Sequence, residues 1–319
     1  MSRLDDLLAA PRVKIVADLA PIAGTRFQPT GFPDLGAAVY RGPDGRDMLL
    51  VESAQSMANR LELQLWDAAA NRPLAPSDRF PSIEVQSEDG THLTSSRTES
   101  HRLASAYVKA ASIAGQTGLD LLTERMGLTD GRPIDHHQVY GAVYSLDPLC
   151  LVHGVFFADQ KWFGQPKIPR AITAFVEAAG VSAAHSGGVK FDHVSNKGDV
   201  GRQEGKRGSE EGFGNVPFPR TEFVAETIEA SFVVDTHQLR SYGLPAAQTK
   251  GLLALALTEV TRLLDQGLRL RTACDLDVVA TRLERPDGGV LPSEDELTEA
   301  IATATPDGVC EPLVAQFPS

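Results

Sequence analysis

Residues 221–270 constrain the fold most tightly. "TEFVAETIEASFVVD" alternates apolar and polar positions, which reads as a strand with one buried face. "AAQTKGLLALALTEVTRLLDQGLRL" follows, and its apolar positions recur at helical spacing, which reads as a strong amphipathic helix. Near the other end, "VKIVADLAPI" (residues 13–22) is β-branched and reads as a strand, and "GAAVY" and "MLLV" read as two more. A helix is expected over residues 52–66, where Val51, Ala54, Ala58, Leu61 and Leu65 form the apolar stripe. Strands are expected at "SIEVQS" and "THLTSS", and an interrupted helix over residues 103–125. "VYGAVYSLDPLCLVHGVFF", rich in Val, Tyr and Phe, reads as strand, turn, strand, and "PRAITAFVEAAGVSAAH" as a short helix. This order favours an α+β fold with a mainly antiparallel sheet, and a strand–helix–strand–strand–helix–strand core fits it.

No interdomain linker or repeat stands out across the 319 residues, so residues 1–319 are expected to form a single domain. "SNKGDVGRQEGKRGSEEGFGN" (residues 195–215) holds six glycines and one aromatic. That is too little apolar surface to fix it, and a flexible insertion is expected over roughly residues 190–222. The apolar runs are short for a membrane span, the N-terminus lacks a signal-peptide pattern, and three scattered cysteines suit reduced thiols. A cytoplasmic protein is therefore expected. The formal net charge of −12 argues against a nucleic-acid partner when taken alone. Its distribution argues less: residues 161–220 carry nine Lys/Arg against six Asp/Glu, whereas residues 281–319 carry two against eight.

Motifs for established chemistries are missing. There is no Walker loop, no G-x-G-x-x-G and no G-x-S-x-G, and no cofactor is expected. "DHH" (residues 135–137) lacks the spacing that pairs two ligands on a helix face and reads as a solvated turn. Cys150 and His153, if on a strand, point to opposite faces.

Two segments do carry chemistry. The polar side of the helix over residues 52–66 shows Glu52, Gln55, Ser56, Asn59 and Arg60, with Ser53 near its start. Amides and hydroxyls propagate a solvated helix less well than Lys and Glu. Such a face suits sugars, phosphates or another backbone, or packing beneath a loop, and the N–H groups beside Ser53 could take an anion. "TRFQPTGFPDLG" offers Arg26 for phosphate, Phe27 and Phe32 for stacking and Gln28 for polar contact, or else is a rigid crossover.

"RFQPTGFPDLG" followed by "LLVESAQSMANRLE" resembles the guide-RNA-binding backbone subunit, of the RAMP superfamily, in type I-U or I-G CRISPR Cascade effector complexes. "LVHGVFF", "KIPRAITAFVEA" and "LRLRTACDL" are similar to the same family. The resemblance implies an RRM-like, ferredoxin-type core with palm, fingers and thumb. It also implies copies stacked head to tail along the guide RNA (crRNA), pairing of that guide with target DNA, other Cascade subunits as partners, and a separate recruited helicase–nuclease. The RNA-facing residues it implies are Arg26, Gln28, Ser53, Gln55, Ser56, Asn59 and Arg60, with Lys161, Lys167 and Arg170 as a second basic cluster. Lys190, Lys197, Arg202, Lys206, Arg207 and Arg220 fall in the thumb or finger candidate. No RNP1 aromatic motif is present, so stacking on the sheet is not expected. The subunit so implied is non-catalytic. The alternative is a metal-dependent ribonuclease of the related type III kind using Asp34, Asp135 or Asp192, although no carboxylates gather at two-metal spacing.

Overall fold

The computed structural model describes residues 2–32, 36–190 and 216–318. Seven strands form its main sheet: β1 (Val13–Pro21), β2 (Val39–Arg41), β3 (Asp47–Glu52), β4 (Ile172–Ala179), β7 (Thr227–Val234), β8 (Leu268–Arg271) and β9 (Cys274–Arg285). Two further strands, β5 (Ser182–Lys190) and β6 (Val216–Val224), pair as a separate antiparallel hairpin. The sheet order is β8-β9-β1-β7-β4-β3-β2, and all of its neighbouring strands run antiparallel.

The helices that concern the site are α1 (Arg3–Ala9), α2 (Ala54–Leu63), α3 (His136–Leu146), α4 (Leu149–His153), α5 (Ala246–Asp265) and α6 (Glu294–Ala304). A smaller sheet includes Ile83–Gln86 and His92–Ser95, as expected. Residues 103–125 hold two helices, Ala106–Ala110 and Gly118–Arg125, around a tight β-turn region. Among the described residues no helix is long and apolar enough to cross a membrane.

α5 is the central helix of the core. Leu252, Leu253, Ala254, Leu255, Ala256 and Leu257 are all fully buried, so the helix is covered on every side and not amphipathic as expected. α6, α1 and α2 pack on it. Burying each of those leucines contributes about 2 kcal/mol. The expected helix also ran too far: Leu268–Arg271 is strand β8, with Leu268 and Leu270 buried and Arg269 exposed between them.

Two expected elements are reversed. "ITAFVEAA" is central strand β4, because Ile172, Ala174, Val176 and Ala178 are buried at a period of two. Its alanines suggested a helix, but the alternation governs. Conversely, "HHQVYGAVYSL" and "LCLVH" are helices α3 and α4. Val139, Ala142, Val143 and Leu146 recur at helical spacing and are buried, and the Asp135 carboxylate caps α3 by accepting from the N–H groups of His137 and Gln138. The expected turn at residues 135–137 is thus a helix start.

α4 brings Cys150 and His153 into the same buried helix. The His153 imidazole meets the Glu259 carboxylate of α5 at 2.9 Å, both fully buried. Burial drives the Glu259 carboxyl upward against the pull of His153. Burial also opposes protonation of His153, but Glu259 outweighs it and raises the imidazole. Burial raises the Cys150 thiol, first of all, which leaves it a core group and not a nucleophile.

Candidate nucleic-acid interface

Helix α2 begins two residues after strand β3 ends. Ser53 is its cap, with the hydroxyl accepting from the Ser56 N–H at 3.3 Å. The helix is shorter than expected, and Val51 and Glu52 belong to the strand, both buried. Met57, Ala58 and Leu61 form its buried side. Gln55 and Asn59 are exposed and Ser56 is half-buried, and Gln55, Asn59 and Glu62 follow at i, i+4 and i+7 on one stripe. The polar face is therefore solvated at Gln55 and Asn59.

Glu52 organises the surroundings of this helix. Its carboxylate accepts from the Arg271 guanidinium at 2.5 Å and stands 3.5 Å from that of Arg60. Arg60 also donates to the carbonyls of Arg269 at 3.1 Å and Leu270 at 2.5 Å. Arg271 donates to the carbonyls of Gln28 at 2.7 Å and Val51 at 3.3 Å. Two expectations change here. Arg60 ties α2 to β8 and is not a free ligand for phosphate. The start of α2 is not an open anion site either, because Glu52 sits beside it, accepts from the Ser53 N–H at 3.0 Å and supplies the negative charge a helix N-terminus favours.

Residues 27–30, ahead of β2, are pinned to three other segments by backbone hydrogen bonds. The Phe27 N–H and carbonyl exchange hydrogen bonds with those of Phe223, at 2.9 and 2.8 Å. The Gln28 N–H donates to Ala273 at 2.7 Å and the Thr30 N–H to Val51 at 2.8 Å. Phe27 is only 1% exposed, so it stacks on the core and not on a base. Gln28 lies beside the start of α2 as expected, half-buried. Arg26 is exposed and reaches Glu222 of β6 at 3.4 Å, at the rim of a cleft of about 380 Å³ lined by Ile22, Gly24, Thr272 and Asp275. The side chain of Phe32 lies outside what is described.

Of the second basic cluster, only Arg170 touches α2: it donates to the carbonyls of Ala54 at 3.3 Å and His153 at 3.4 Å. Burial lowers its pKa. Lys167 is exposed on a two-residue ribbon, Val155–Phe156 paired with Lys167–Ile168, and Lys161 is exposed in the loop that closes it. Lys190 and Arg220 lie on the β5–β6 hairpin, opposite Val216 and Ser186 respectively. Lys197, Arg202, Lys206 and Arg207 lie outside the described residues, as do Asp34 and Asp192. Residues 216–222, expected to be flexible, form a regular ladder with 184–190. Asp135 is occupied as the cap of α3, and no cluster of three or more His, Cys, Asp or Glu suited to a metal occurs among the described residues.

Sequence reasoning missed Arg271, Arg269 and Arg102. Their signal was present for the first two: "LRLR" alternates at a period of two, as a strand does. Arg102 links α2 to the ribbon, with Nε 2.7 Å from the Glu62 carboxylate and one terminal nitrogen 3.1 Å from the Gly154 carbonyl.

The open face of the main sheet differs in sign. Asp18, Glu229 and Glu177 stand opposite one another across β1, β7 and β4, a row of like charges that repel. Arg282 relieves it by binding Asp18 at 2.5 Å, Glu229 at 2.6 Å and Glu284 at 3.1 Å, and the Tyr40 hydroxyl donates to Glu177. Burial and the Glu177 carboxylate push that phenol up to about 12.

An α+β chain with an antiparallel sheet thus presents an uncharged polar helix edge among arginines and an acidic sheet face. Residues 13–183, more than half of the chain, match the family described as CRISPR-associated protein GSU0053 (Cas_GSU0053), and the chain belongs to that family. No curated protein matches it. Among solved structures it is similar to a chain of a pre-nicking CRISPR RNA-guided surveillance complex. There the identity is 13% and the TM-score 0.40, over 78% of this chain and 68% of that one. It is also similar to the crystal structure of Thermofilum pendens Csc2, at 10% identity and a TM-score of 0.32, over 95% and 75%. Both scores lie below the level at which a shared fold follows.

Proposed function

We propose that this CRISPR-associated chain is a non-catalytic backbone subunit that grips guide RNA along the α2 edge. The observation that carries the reading is the exposed, uncharged pair Gln55 and Asn59 on one side of α2, whose first turn Arg170 holds through the Ala54 carbonyl. Amides offer donors and acceptors to phosphate and ribose without reading sequence, which suits a carrier of arbitrary guides. The carboxylate row on the open sheet face repels a polyanion and leaves the helix edge as the favourable side.

The sheet order β9-β1-β7-β4, with α2 and α5 in the two crossovers, supports reading the core as ferredoxin-type and RRM-like. The β5–β6 hairpin is then the base of the thumb, tied to the RNA edge through Phe27 and Arg26. In this reading the guide pairs with target DNA, and copies stack head to tail in a type I-U or I-G complex. Other Cascade subunits join them, and a recruited helicase–nuclease does the cutting. The test is coexpression with a CRISPR array followed by assay of bound nucleic acid. Guide-sized RNA is expected on wild type and lost on the Gln55→Ala/Asn59→Ala double variant. Equal RNA on both removes α2 from the interface.

A further inference from the structure

The ribbon beside α2 presents an aromatic that the RNA-gripping reading does not use. Phe156 is 47% exposed, while its strand neighbour Val155 is buried. Lys167 stands directly opposite it, with the ammonium 5.5 Å from the ring centroid, and makes no ion pair among the described residues. The ammonium lies over the ring as a cation–π contact, so a π-surface and a cation lie together within the span of one nucleotide.

The ribbon is held rigidly at its root. Gly154 adopts φ +81°, and a Cβ there would stand 2.9 Å from the Arg170 amide nitrogen and the Ile168 carbonyl oxygen, so only glycine lets the two strands approach. Beneath the ribbon Phe157 and Trp162 are fully buried, edge to face at 5.1 Å. The same root is fixed to α2 at both ends of the helix. Arg170 holds the Ala54 carbonyl, and Arg102 joins the Gly154 carbonyl to Glu62, the residue that continues the Gln55–Asn59 stripe. Phe156 therefore sits two residues from an anchor on that stripe, on a support that does not need ordering upon binding.

We propose that Phe156 and Lys167 form a stacking subsite for one unpaired base of the RNA, with the ring under the base and the ammonium on a neighbouring phosphate. This rests on the RNA-binding reading above and adds a contact to the base. Stacking tolerates any sequence, because every base has a π-face.

The test is fluorescence anisotropy of the full chain with labelled single-stranded oligoribonucleotides, intact and abasic. Phe156→Ala is expected to weaken binding of the intact strand roughly tenfold and to leave binding of the abasic strand equal to that of wild type. Phe156→Trp is expected to retain affinity and to show indole quenching on binding. Lys167→Ala is expected to flatten the salt dependence by about one unit of slope. Unchanged affinity in Phe156→Ala, or equal loss on intact and abasic strands, overturns the subsite alone. Wild type that binds neither strand overturns the RNA-binding reading and the subsite with it. Thermal melting of Phe156→Ala is expected to match wild type, since the ring is half outside the core.

Discussion

Two arginine–carboxylate clusters in this molecule use the same chemistry to opposite ends. At the α2 edge, one buried carboxylate, Glu52 (2% exposed), gathers Arg271 and Arg60, which pass their remaining donors to four backbone carbonyls. On the open sheet face, one arginine, Arg282, is shared among three carboxylates that are all substantially solvated. The first cluster welds a loop, a helix start and a strand end, because each lost contact would leave a poorly hydrated charge or carbonyl. The second only offsets repulsion within an acidic row, in water that screens it. The difference teaches that an arginine next to a carboxylate says little by itself; burial and the backbone partners decide whether it is a fastener or a surface neutraliser.

Breaking the first cluster should have the largest effect. Glu52→Ala is expected to destabilise the chain by about 3 kcal/mol, the lower end for removing one partner of a buried ion pair, because its arginines are partly solvated. Urea unfolding monitored by circular dichroism measures it, and a loss under 1 kcal/mol would place Glu52 with the surface pairs. The Gln55→Ala/Asn59→Ala variant separates binding from stability beside the same cluster. Two hydrogen bonds worth about 1 kcal/mol each predict a loss of RNA affinity of roughly tenfold or more, with an unchanged melting temperature. Unfolding of this variant would show the amides to be structural.

Arg282→Ala tests the other side of the comparison. Its stability loss should stay within about 1 kcal/mol, as for exposed pairs, and RNA affinity should not fall. A marked fall in affinity would move the nucleic acid onto the sheet face. The smallest effect concerns pH. A hydrogen bond from Lys14, then Arg282, holds the Glu284 carboxyl below its ordinary 4.5. A depressed carboxylate stabilises the fold above its unfolded value, and that contribution is lost as pH falls through the folded one. Glu284→Gln should therefore show a slightly shallower loss of melting temperature below about pH 4.5; an identical profile would mean that the cluster contributes nothing measurable.

The sequence was legible where periodicity and composition agreed. Val13–Pro21, Asp47–Glu52 and Thr227–Val234 are strands as their patterns predict, and α5 is a helix. It misled where they conflicted. The alanines of β4 suggested a helix and the valines and tyrosines of α3 a strand, yet in both the spacing of buried positions ruled. At the site, Gln55 and Asn59 were identifiable as a solvent-facing polar stripe, because spacing fixes which residues share a helix face. The fate of Arg60, Phe27 and Glu52 was not identifiable, since each depends on β8 or β6, whose residues lie more than 150 positions away in the chain.

What the sequence determined by itself was the set of local periods: which segments are strands or helices, and which side chains line one face together. Only the tertiary structure decided which charges are free. It brought Arg271 to Glu52, Arg282 to Asp18 and Glu229, and Arg102 to Glu62 across long loops. It also set the Lys167 ammonium over the Phe156 ring, with no carboxylate partner among the described residues. The physical reason is that pairing and desolvation depend on distances of a few ångströms between segments remote in sequence, which local patterns do not encode.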